Sequence, residues 1–123
     1  MDGEIDLETY TLSIIRLNSA FKKLENDEST DSIRNMLEDS YNDLNKLYHD
    51  IVNDLNQDEV NLNEYYMFFE NGKQVFPQFI DALGSIENSE LDESVNALLK
   101  VFNNLNKIAE AFPKNEMMEW VMI

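Results

Sequence analysis

The chain has no cysteine, only three glycines and two prolines, one histidine, and nine basic residues against twenty-five acidic ones. Each scarcity excludes something. Without cysteine there is neither a disulfide framework nor a thiolate metal site. So little glycine and proline argues against an all-β fold, whose many tight turns need those residues. The acidic opening, Met1-Asp2-Gly3-Glu4-Ile5-Asp6, lacks the basic and apolar regions of a secretory leader. No apolar run approaches the roughly 20 residues that span a bilayer. The expectation is a cytoplasmic protein with no membrane contact. Its 123 residues suit a single domain over residues 1–123 with one core.

What is present is a helical period. Leu7, Tyr10, Ile14, Leu17, Phe21 and Leu24 step by 3 and 4, which keeps one face apolar over about five turns. Asn26 to Asp31 forms a polar linker dense in helix-capping residue types. A second stripe follows through Ile33, Leu37, Tyr41, Leu44, Tyr48, Ile51 and Leu55, with a break expected at Asn56-Gln57-Asp58. The third region carries Tyr65, Tyr66, Phe68 and Phe69. There Gly72 reads as a helix C-cap and Pro77 as the first turn of a new helix or a kink, giving helices to about residue 71 and from about 74 to 85. Ser89, with Asp92 three residues on, reads as the cap of a stripe through Leu91, Val95, Leu98, Phe102, Leu105, Ala109 and Phe112, which Pro113 ends. A short helix over Asn115 to Ile123 closes the chain. The fold class is therefore all-α, an antiparallel helical bundle of four main helices plus a short C-terminal one.

Catalytic chemistry finds little footing. His49 has Lys46 at the position where a di-iron bundle needs Glu, and no serine lies in a Gly-x-Ser-x-Gly turn. Asp27, Ser29, Asp31 and Glu38 match four positions of a calcium loop, yet Ser32 stands where its sharp turn requires glycine. Gly3, Gly72 and Gly84 are too scattered to cradle phosphate. No enzyme, cofactor or metal is expected.

The charge does carry a signal. A formal net charge of −16 repels nucleic acid and anionic membrane and favours basic protein partners, though it also serves solubility. On the second helix Asp39, Asp43, Asp50 and Asp54 step by 4, 7 and 4, and Asp58 extends the row. Like charges four apart cost a helix about 0.2–0.5 kcal/mol per pair, so the row opposes folding. Carboxylates four apart rise about 6 Å along a helix, comparable to successive phosphates of a nucleic-acid strand. The pattern implies an acidic inhibitor occupying the basic site of a nucleic-acid-handling protein, as immunity proteins of nuclease toxins and phage-encoded blockers of host defence do. The alternative is a structural subunit of a larger helical assembly. The apolar tail, Met117 to Ile123 with Trp120, would then either dock on its own bundle or anchor a partner.

Overall fold

The amphipathic period does produce helices among the described residues. The computed structural model describes residues 7–55 and 62–111. They form α1 (Leu7–Glu25), α2 (Thr30–Leu55), α3 (Leu62–Gly84) and α4 (Asp92–Ala111), with no strand among the described residues. The expected break at 56–58 and the helix over 115–123 lie outside those residues.

The apolar stripes bury as their spacing requires. Leu17 on α1, Ile33, Leu37, Leu44 and Ile51 on α2, and Leu91, Val95, Leu98, Phe102 and Leu105 on α4 all enter one core. Each fully buried side chain of this size contributes about 1.5–3 kcal/mol. Two serines join them. Ser40 Oγ donates to the Ser13 carbonyl at 3.3 Å, so small residues let α1 and α2 approach closely.

α1 ends in a left-handed turn. Asp27 has φ 60°, and the Glu28 and Asp27 N–H groups donate back to the Lys23 and Leu24 carbonyls at 3.0 and 3.2 Å. This closes the last turn of the helix with an aspartate where glycine is usual. At the other junction the cap differs from the expected Ser89. Asn88 accepts the Glu90 N–H on its Oδ1 at 3.0 Å, and the Leu91 carbonyl receives the Val95 N–H at 2.9 Å. The cap thus falls on Leu91, two residues later than Ser89, and a turn at Asn88 precedes it, because an asparagine side chain readily bonds a backbone N–H two residues on.

α3 corrects the sequence reading: it runs unbroken through Gly72 and Pro77. Gly72 is buried inside the helix, where a Cβ would lie 2.4 Å from Phe76 Cε2. It is there to admit that ring rather than to end the helix. Pro77 is exposed, so solvent can serve the Lys73 carbonyl whose helical donor proline removes.

Contacts give the helix directions. Lys23 meets Glu28 near the α1–α2 turn, while Ser13 and Arg16 meet Ser40 and Asp43 further along, so α1 and α2 are antiparallel. Tyr10 packs edge-on to Phe68 and Phe21 packs on Phe79, so α1 and α3 run the same way. The starts of α2 and α4 adjoin where Arg34 donates to the Glu90 carbonyl, and Tyr48 lies beside Asn104 further on. These two neighbours are parallel as well, which departs from a bundle whose neighbours are all antiparallel. Backbones approach closely at α1–α2, α2–α4 and α3–α4, whereas α1 and α3 meet through aromatic rings.

Tyr10 sits in that aromatic layer, its ring 5.1 Å from Phe68 and 6.5 Å from Phe76. Burial pushes its hydroxyl up from 10.0 to about 12. The folded state therefore resists ionisation of Tyr10. The associated stability is complete below pH 10.0 and is lost as pH rises toward about 12. Two pH units correspond to about 2–3 kcal/mol. Urea unfolding across that range should show the decline in the native protein and a shallower one in Tyr10→Phe. Identical profiles would rule out Tyr10 as its source.

Candidate protein-binding surface

The acidic row of α2 does not lie on one free face. Asp43 turns toward α1, where Arg16 Nη1 donates to its Oδ2 at 2.8 Å and Ser13 Oγ at 3.3 Å. Asp54 accepts the Tyr65 hydroxyl of α3 at 2.7 Å. Asp39 and Asp50 are exposed. Asp58 and Trp120 lie outside the described residues. Two of the four described aspartates therefore tie helices together, and two remain open to a partner. Their spacing alone could not show this, because the groups they meet belong to other helices.

Four basic side chains are engaged in ion pairs among the described residues. Besides Arg16–Asp43, ion pairs join Lys23 to Glu28 at 3.3 Å, Arg34 to Asp31 at 3.2 Å and Lys73 to Glu70 at 3.2 Å. Exposed pairs of this kind contribute little to stability, up to about 1 kcal/mol each. Each pair cancels one carboxylate with one cation, so the excess of negative charge stays with the remaining carboxylates. His49 is exposed beside the Tyr48 ring. The calcium-loop positions do not form a loop, because residues from Thr30 onward are helical. Among the described residues no cluster of three or more metal-ligating side chains occurs, and no helix is long and apolar enough to cross a membrane.

A groove runs between the parallel helices α2 and α4, with no direct sign of it in the residue pattern. Ala97 lines two adjoining depressions and joins them. One, of about 180 Å³, lies among Arg34, Glu38, Glu90, Glu93 and Ser94. The other, of about 420 Å³, is lined by Tyr41, Asn45, Tyr48, His49, Lys100, Val101 and Asn104. From Arg34 to Tyr48 the groove follows about 21 Å of helix. Its two ends differ in charge. The first holds three carboxylates and Arg34, whose guanidinium is already bonded to Asp31 and the Glu90 carbonyl. The second holds Lys100 and His49 and no carboxylate. Tyr41 and Tyr48 belong to the expected core stripe, yet both are only half-buried because they form the groove's wall. The available signal was the small pair Ser94 and Ala97, three apart on α4, which lowers the helix surface there.

Apolar side chains also reach solvent. Leu12 and Ile15 on α1 are 52% and 55% exposed, and Met67 on α3 is 72% exposed. Comparison of the chain with protein-family models, curated proteins and solved structures gives no match.

Proposed function

We propose that the protein is a non-enzymatic acidic binding module whose partner is a basic protein, and that it inhibits a nucleic-acid-handling protein by occupying its basic site. The observation that carries this reading is the uncompensated negative surface. The chain has a net charge of −16, and among the described residues four cations are paired with carboxylates of the same molecule. Such a field accelerates encounter with a positive surface and opposes binding to nucleic acid itself. Of the aspartate row on α2, the groups available for that contact are Asp39 and Asp50, with Asp43 and Asp54 holding the helix against its neighbours.

The test begins with partners purified on the intact protein from its native host, followed by binding measured at low and at physiological ionic strength. A basic partner should be recovered, and its affinity should fall at least tenfold as salt rises, about 1.4 kcal/mol. Asp39→Asn with Asp50→Asn should weaken binding to a similar degree while the thermal melt stays unchanged. Partners without a basic surface, or binding indifferent to salt, would overturn the reading.

The exposed Leu12 and Ile15 favour a second reading, a subunit of a larger helical assembly that buries this face of α1. Replacing both with Gln would then abolish assembly. Under the first reading the same change leaves binding intact.

A further inference from the structure

The geometry points to the α2–α4 groove as the docking site for one amphipathic helix of the partner protein, held in a single orientation by the charge at the groove's two ends. This inference deepens the proposed function and rests on it. Packing supplies the shape. Two parallel helices with Ser94 and Ala97 between them leave a channel into which the side-chain ridge of a third helix fits. Tyr41 and Tyr48 present half-buried rings along the wall, the residue type that anchors protein interfaces.

Charge supplies the polarity and selects the occupant. A helix lying in the groove meets Glu38, Glu90 and Glu93 at one end and Lys100 with His49 at the other. It must therefore be basic over the carboxylates, apolar over Ala97 and Val101, and neutral or acidic over Lys100. A second copy of this chain is a poor occupant, because two chains of −16 repel each other. A helix from a basic protein gains from the same field.

Selection from a displayed library of random 16-residue peptides against the intact protein tests this, with the Ala97→Phe variant as the counter-target. Ala97 is half-buried at the groove floor, so phenylalanine should fill the channel. Enriched peptides should carry an apolar 3,4 period with basic residues gathered at one end. Synthesised, they should bind the native protein at least tenfold more tightly than Ala97→Phe. The paired reversal Glu93→Lys with Lys100→Glu should weaken them at least tenfold and restore binding to peptides of reversed charge order. That reversal still decides the matter if Ala97→Phe fails to fold. Peptides without charge order, peptides that bind the paired reversal as well as the native protein, or no enrichment would overturn the proposal. So would binding seen only after truncation beyond Ala111, since the chain's own C-terminal residues would then be the occupant. The peptide selection reads the groove without any partner from the native host, whereas the salt series reads that partner's own affinity. Failure of the salt-dependent reading is thereby separable from failure of this one.

Discussion

Leu98→Asp should abolish the cooperative thermal transition or cost at least 4 kcal/mol, roughly, of stability. Leu98 is 0% exposed on α4, which packs against both α2 and α3. Its replacement removes the transfer energy of a buried aliphatic side chain and puts a carboxylate in its place. The new group would either ionise without a partner or take up a proton to stay neutral, and either course opposes folding. A circular-dichroism melt reads the result. Asn96→Asp and Asn103→Asp add the same charge at exposed positions of the same helix and should leave the melt within about 0.5 kcal/mol of the native one. A Leu98→Asp melt that matched these controls would place Leu98 outside the core.

The helices were legible wherever one face alone had to be apolar. α1, α2 and α4 follow their 3,4 stripes, and Leu17, Leu44 and Leu98 bury where the period puts them. α3 was misread because Gly72 and Pro77 carry two meanings that sequence does not separate. Glycine can end a helix or let a ring approach it, and proline can start a helix or sit on its exposed side. Only the positions of Phe76 and of solvent decide. The acidic row shows a second limit. Spacing places Asp43 and Asp54 in line with Asp39 and Asp50, but it says nothing of Arg16 or Tyr65, which belong to neighbouring helices. A row on one helix is local information, whereas a surface depends on helix order. The same limit hid the groove, since nothing along the chain places α4 parallel beside α2.

These two limits alter what neutralising the row should do. Removing all four charges at once would mix two effects, loss of the Arg16 and Tyr65 contacts and loss of exposed charge. The informative pair is Asp39 with Asp50, whose exposure lets binding change without a change in packing.

Gly72 and Phe76 should behave as one unit, and their coupling is the sharpest test of the packing. Phe76 is 0% exposed and its ring lies 6.5 Å from Tyr10, 6.0 Å from Phe68 and 6.0 Å from Phe102, linking α1, α3 and α4. Phe76→Ala should cost about 3–5 kcal/mol through lost burial and the cavity left behind. Gly72→Ala alone should also destabilise. Its Cβ would meet Phe76 Cε2 at 2.4 Å and Cζ at 2.7 Å, and a ring held by three others has little room to retreat. Overpacking of this kind costs about 1–3 kcal/mol, more than the gain of up to about 1 kcal/mol that alanine brings to a helix interior. Once Phe76 is alanine the clash is gone and only the helix gain remains. Gly72→Ala should then stabilise the Phe76→Ala protein by up to about 1 kcal/mol, reversing its sign. Urea unfolding of the four proteins gives a coupling of about 2 kcal/mol or more between the sites. Additive effects, or a stabilising Gly72→Ala in the native background, would mean that Phe76 does not pack over Gly72 and that the glycine serves some other end.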